Sequence, residues 1–264
     1  MVDLSLDGRA VIVTGPAKGM GPGITAALAE HGADLLLVGR DVDALEKVQT
    51  DLGAAGGQIE IHPTDLSSAS SVDIMAARAI DLFAERLYGL VNIAGLPGPT
   101  GRKIWEHSAG DYDELFAVNV RGAFLLMRAV LPHFVEQGHG SVVHIGGTFG
   151  HRGVNDASIY GCTKWALRGM AKSAALEAGP YGVRVNVVAP GGVDGPRVQR
   201  QLAERAEMDG TTADELYTKF AAATALRRLS KDSDIAAAVI FLMSDAARNI
   251  TGQDLLVDGG TVVW

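Results

Sequence analysis

Short runs of branched apolar residues alternate with longer amphipathic stretches along almost the whole chain. Residues 10–14 form a β-branched run that ends in a glycine loop, and 24–31 carry a helical pattern closed by Gly32. The pattern predicts further strands at 35–38, 59–62, 90–93, 141–145, 183–188 and 255–257. Helical periodicity marks 43–52, a stretch from an N-cap at Ser67 to about 86, and two long segments at 112–135 and 157–179. Nearly continuous apolar strands separated by amphipathic helices predict an α/β fold. Its core is a doubly wound parallel sheet with helices on both faces, reached by right-handed crossovers.

Composition narrows this. At 264 residues, with 47% hydrophobic and 20% charged residues, the chain fits one globular domain spanning 1–264, with no repeat or linker to divide it. A formal net charge of −8 disfavours a nucleic-acid partner, since phosphate binding wants a basic surface. One cysteine permits no internal disulfide, and the first seven residues carry acids where a signal peptide needs bases. No stretch reads as the roughly 20 apolar residues that span a bilayer. These features lead us to expect a soluble, cytoplasmic protein without membrane contact. The seven histidines show no metal-ligand spacing, so no metal is expected.

Two constellations carry chemistry. The first strand leads into Thr14-Gly15-Pro16-Ala17-Lys18-Gly19-Met20-Gly21 and then a helix. Glycines let a backbone approach a pyrophosphate, and the helix start presents free N–H groups with a positive dipole end. Strand, glycine turn and helix together predict a Rossmann-like dinucleotide site; taken alone, the glycines fit an ordinary βα turn. In the second constellation, Tyr160 and Lys164 lie four residues apart on one face of a predicted helix. An ammonium held beside a phenol stabilises the phenolate, which suits Tyr160 to acid/base work; alone, the pair also fits a surface contact.

Thr-Gly-x3-Gly-x-Gly at Thr14–Gly21 and Tyr-x3-Lys at Tyr160–Lys164 resemble the short-chain dehydrogenase/reductase family. Other blocks follow in family order: Thr64-Asp65-Leu66, Asn92-Ile93-Ala94-Gly95, Val118-Asn119-Val120, Pro190-Gly191-Gly192-Val193, Thr251-Gly252-Gln253 and Val257-Asp258-Gly259-Gly260. The resemblance implies alcohol–carbonyl interconversion by hydride transfer with NADP(H) or NAD(H). Tyr160 would be the acid/base, Lys164 would hold the nicotinamide ribose, and Asn119 would support a proton-relay water. It also implies cofactor contacts from Gly15, Lys18, Gly19, Met20, Gly21, Arg40, Asp65, Leu66, Asn92, Ala94, Gly95, Pro190, Gly191 and Val193. Gly39 stands where an NAD-binding acid would align, and Arg40 and Lys18 resemble the NADP-preferring pattern; NAD stays open, with Asp41 taking the ribose.

One block departs. Where the family carries a serine thirteen residues before the tyrosine, to hydrogen-bond the substrate oxygen, this chain has Gly147. Loss of one such donor costs roughly 10²–10³ in rate. Thr148 could substitute through a one-residue shift, the substrate or a pocket residue such as His151 could supply the bond, or catalysis could be weak. The alternatives to an oxidoreductase are therefore a dinucleotide-binding protein with little turnover and a non-redox lyase or dehalogenase on the same scaffold. Gly147→Ser is expected to raise activity on simple ketones unless another group already fills the role.

By the same resemblance, residues at about 194–225, with Arg197, Arg200 and Arg205, form a substrate lid. Those arginines either meet an acidic substrate group or stay solvated on a helix face. Pro97, Pro99, Arg102, Lys103 and Trp105 in one loop and His151, Arg152 and Asn155 in another suggest a pocket for a small, polar substrate. Apolar residues on the two long helices, and a C-terminal Val262-Val263-Trp264, lead us to expect a homotetramer. Cys162, turned about 200° from Tyr160 on a helix, is expected to be a buried, inert thiol.

Overall fold

The computed structural model describes residues 3–53 and 57–263, without the side chain of Arg197. Seven parallel strands form one sheet in the order β3-β2-β1-β4-β5-β6-β7. They are β1 (Ala10–Thr14), β2 (Asp34–Gly39), β3 (Ile59–Pro63), β4 (Leu87–Asn92), β5 (Gly140–Ile145), β6 (Val183–Pro190) and β7 (Asp254–Val257). Every residue of β1, β4, β5 and β6 is buried, as expected of central strands covered on both faces.

Helices α1 (Gly21–Glu30), α2 (Val42–Leu52), α3 (Ala69–Phe83), α4 (Ala109–Phe116), α5 (Gly122–Gln137), α6 (Ser158–Ala178), α7 (Pro196–Asp209), α8 (Ala213–Ala222) and α9 (Asp232–Met243) complete the fold. Ile24 and Leu28 of α1 pack with Leu45 of α2 and with Ile235, Val239 and Ile240 of α9 on one face of the sheet. Met75 and Phe83 of α3, Leu126, Val130 and Phe134 of α5, and Ala171 and Ala175 of α6 pack on the other. The sheet changes direction between β1 and β4, so the crevice at their carboxyl ends is where an open α/β sheet accepts a ligand.

Three expectations need correction, and one helix, α9, is an element that the pattern did not predict. Ser68, not Ser67, caps α3, accepting from the Ser71 amide; the Ser67 hydroxyl instead donates to Asp65 Oδ1 at 2.7 Å. Helix α9 escapes the periodicity argument because its core, Ile235–Met243, is apolar all round, lodged between α1 and the sheet. The helical run Ala109–Gln137 is long and apolar enough to span a membrane by length and composition, but its apolar stripe covers the sheet. Cys162 is exposed: Gly161, Thr163, Lys164 and Leu167 turn inward, leaving Cys162 on the outer stripe with the half-exposed Trp165. Within 194–225 the chain forms α7 and α8, while Trp264 and the Arg197 side chain lie outside the described residues.

Candidate active site

The glycine turn has the shape a pyrophosphate needs. Gly15 (φ +70°) packs so closely on Ala94 that a Cβ would meet its backbone at 2.9 Å, and a Cβ on Gly21 would collide with the Gly15 carbonyl. Gly19 (φ +59°) faces open space. No side chain caps α1 at Met20, and Pro22 in the first turn has no N–H to satisfy. A helix start left without a side-chain cap beside an open glycine is a fitting anion cradle. The floor is held by a buried chain of hydrogen bonds. The Ala94 N–H donates to Thr14 Oγ1 (3.3 Å), Thr14 Oγ1 to Asn92 Oδ1 (2.7 Å), and Asn92 Nδ2 to His144 Nδ1 (3.1 Å). The Asn92 side chain thus joins β1 to β5 inside the sheet.

Along the rim, Asp65 Oδ1 accepts from the amide and hydroxyl of Ser67, which hold its carboxyl below the usual range, with a smaller contribution from the Arg40 guanidinium. Leu66 is buried under the start of α5, where a Cβ on Gly122 would press on its carbonyl. Asp41 spends a carboxylate oxygen capping α2 through the Ala44 amide at 3.2 Å. Lys18 and Arg40 are exposed, and neither has an ion pair among the described residues. Across the crevice, the Gly191 amide donates to the Val257 carbonyl and Val193 bridges to Ser230. A Cβ on Gly191 would meet Asp258 at 2.7 Å.

Lys164 and Asn119 converge beneath Gly95. A Cβ there would lie 3.3 Å from Asn119 Oδ1 and 3.9 Å from Lys164 Nζ. Lys164 is buried; its Nζ donates to the Ile145 carbonyl at 2.9 Å and lies 5.4 Å from the centre of the Tyr160 ring. Phe149 packs edge-on against that ring at 5.9 Å. Asn119 Oδ1 accepts from the Leu96 amide (2.7 Å), and its Nδ2 donates to the Leu96 carbonyl (2.9 Å) and to Thr163 Oγ1 (3.3 Å). Thr163 Oγ1 donates to the Tyr160 carbonyl (2.8 Å), so Asn119 ties the tyrosine's helix to the loop after β4. Asn119 sits in a π-turn, Ala117–Arg121, between α4 and α5, a local widening invisible to hydrophobic periodicity.

Gly147 has φ 157° and ψ 157°, a region essentially reserved for glycine. A Cβ would find room, the nearest atom being the Pro190 carbonyl oxygen at 3.8 Å, so serine is opposed by the backbone rather than by space. Thr148 opens the short helical turn Thr148–Gly150 and is buried. Among the described residues its hydroxyl has no hydrogen-bond partner, and neither does that of the half-buried Tyr160. His151 is buried with its Nε2 unpartnered. Burial lowers its pKa first, and Arg168, Asp254, Lys172 and Asp258 are the charges it feels. Arg200 and Arg205 pair with Glu204 and Asp209 along α7, the solvated-face arrangement. No cluster of three metal-ligating side chains occurs among the described residues.

Comparison with known proteins agrees with this geometry. A family model described as enoyl-(acyl carrier protein) reductase matches residues 15–262. The 2,5-dichloro-2,5-cyclohexadiene-1,4-diol dehydrogenase LinX of Sphingobium indicum is 32% identical over 255 residues, covering 97% of this chain and 96% of that protein. An NAD+-bound xylitol dehydrogenase superposes with a TM-score of 0.90 at 26% identity, covering 97% of this chain and 99% of the other. The actinorhodin polyketide ketoreductase with NADPH gives 0.90 at 26%, covering 98% and 99%. The chain therefore belongs to the short-chain dehydrogenase/reductase family, as an NAD(P)-dependent oxidoreductase that interconverts an alcohol and a carbonyl.

Proposed function

We propose that this enzyme prefers NADP(H), acts on a small polar diol, polyol or the corresponding ketone, and uses Thr148 where the family pattern places a serine. The observation that carries the reading is the buried Lys164 ammonium 5.4 Å from the ring of Tyr160, whose hydroxyl, like that of Thr148 in the turn after β5, has no hydrogen-bond partner among the described residues. The glycine turn, Gly95 and the loop from Pro190 to Val193 would hold the dinucleotide, with Asp65 and Leu66 at its adenine end. Bound there, it supplies or accepts the hydride. Arg40 and Lys18 are exposed cations at the rim without an ion pair among the described residues, suited to a ribose 2′-phosphate, while Asp41 is engaged in capping α2.

In the reductive direction, Tyr160 Oη gives its proton to the substrate oxygen as that oxygen gains negative charge; in oxidation the phenolate takes the hydroxyl proton back. The buried Lys164 ammonium, 5.4 Å from the Tyr160 ring, stabilises the phenolate electrostatically. Asn119 holds the start of α6 against Leu96, keeping Tyr160 aimed, and solvent restores the proton. Thr148 Oγ1 donates to the same substrate oxygen, replacing the donor that Gly147 lacks. The relatives' names, a cyclic diol dehydrogenase and a xylitol dehydrogenase, support a polyhydroxylated substrate.

A homotetramer in the cytoplasm completes the proposal. The assembly, not the compartment, is supported by a groove of about 470 Å³ along α4, α5 and α6, where Phe116, Ala117, Val120, Phe124 and Met170 lie with Asp113 and Arg121. The test is cofactor absorbance at 340 nm against small diols, polyols and ketones with NADPH and NADH in parallel. Higher kcat/KM with the phosphorylated cofactor on at least one such compound supports the reading. Preference for NADH, or turnover confined to large apolar ketones, refutes it.

A further inference from the structure

Two loops border the strand ends beside Tyr160: one from the end of β4 to α4, the other from the end of β5 to α6. The first is pinned near its start where Asn119 holds both backbone groups of Leu96. Farther along, it reaches across to the second. Lys103 Nζ donates to Asp156 Oδ1 at 2.6 Å and to Asn155 Oδ1 at 3.4 Å, and the Gly101 amide donates to the Asp156 carbonyl at 2.9 Å. Lys103 is itself anchored, because its own amide donates to Glu106 Oε2 at 2.7 Å.

The acceptor residue is unusual. Asp156 has φ +61°, a conformation glycine adopts freely and side chains resist. It lies four residues before Tyr160, immediately ahead of α6. Asp156 takes this left-handed conformation with its carboxylate turned to the facing loop.

We propose that the Lys103–Asp156 pair is a specificity-determining clamp: it fixes the gap between the two loops through which substrate reaches Tyr160, so that small alcohols are admitted ahead of bulky ones. The inference rests on the small-substrate reading above. Lys103 and Asp156 are positioning residues; neither is required to touch the reacting atoms. Their side chains are 43% and 37% exposed, so the pair is solvent-screened and its release acts on loop position by a few-fold rather than by orders of magnitude.

The test compares Lys103→Met, Lys103→Arg and Asp156→Gly with the wild type in two assays. In kinetics, Lys103→Met and Asp156→Gly should raise KM for the best small diol or ketone about three- to five-fold. Over the same substitutions kcat should change less than about two-fold and KM for the cofactor should be unchanged. The ratio of kcat/KM for a small substrate over a bulky ring-bearing one should fall by a similar factor, and Lys103→Arg should retain wild-type values. Asp156→Gly removes the clamp while relieving the backbone, so a fully stable protein with the same loss of discrimination separates clamp from fold damage.

In hydrogen exchange, peptides covering 97–107 should exchange faster in Lys103→Met, with and without NADPH. Unchanged discrimination in an active Lys103→Met, or unchanged exchange, overturns the clamp. Absence of turnover in the wild type would instead overturn the proposed function, and the exchange result would still decide whether the clamp exists.

Discussion

Acidification should destabilise this protein through His144 well before its carboxylates titrate. The imidazole has no exposure near the carboxyl end of β5, and its Nδ1 accepts from Asn92 Nδ2, which places the ring proton on Nε2. Burial, reinforced by the Lys164 ammonium, pushes its pKa from 6.5 down to about 4. A folded value below the unfolded one means that the unfolded chain binds the extra proton first. This group therefore costs nothing above about pH 6.5, and stability falls as pH drops from there towards 4. Linkage with those two values gives a loss of about 2 kcal/mol at pH 5 relative to pH 7.5. The assay is urea unfolding at both pH values and one fixed protein concentration, on wild type and His144→Asn. Asparagine retains an acceptor near Nδ1 but does not titrate. Burial also lowers His62 and His151, but both remain in the variant and cancel in the comparison. The wild type should lose about 2 kcal/mol more than the variant. Equal losses would refute both the neutral imidazole and the buried chain from Ala94 to His144.

Thr148→Val, which keeps the shape and removes the hydroxyl, should lower kcat about 10²–10³-fold with cofactor affinity intact, read by steady-state kinetics and fluorescence titration. Gly147→Ser, by contrast, should lower the melting temperature, because its backbone sits in a glycine-only region costing about 1–3 kcal/mol, and should bring no gain in kcat; a clear gain would show that Thr148 does not fill the role. Arg40→Ser should raise KM for NADPH about 10- to 100-fold, the scale of one charge-assisted hydrogen-bonding group, and leave KM for NADH nearly unchanged.

Most of the sheet was legible because its strands are buried on both faces and therefore read as unbroken apolar runs; β1 falls at its expected residues. The same logic failed in α9, whose outer face carries alanines as well, so that its uniform apolar character hides the helical period. Ser67 and Ser68 are equally good caps by type, and only the competing bond to Asp65 decides between them. In the candidate site, spacing places Tyr160 and Lys164 on one helix face, while Asn119 is foreshadowed only by the family resemblance. Three things have no linear signature: the π-turn that carries Asn119, the φ of Gly147, and the reach of Lys103 across 53 positions to Asp156. The last of these joins segments distant in the chain, which no local pattern encodes. Cys162 shows the converse: its angle from Tyr160 was computable, but which side of the helix met the sheet was not.

The central claim is that Tyr160 moves the proton in a dinucleotide-dependent alcohol–carbonyl reaction. The most direct measurement is NADPH consumption with the best ketone, wild type beside Tyr160→Phe, with cofactor affinity measured on both. The account predicts that the variant binds NADPH as tightly as the wild type and loses at least about 10²-fold in kcat, the scale of general acid catalysis. Turnover that survives the substitution undiminished would contradict it and move the proton-transfer role away from Tyr160.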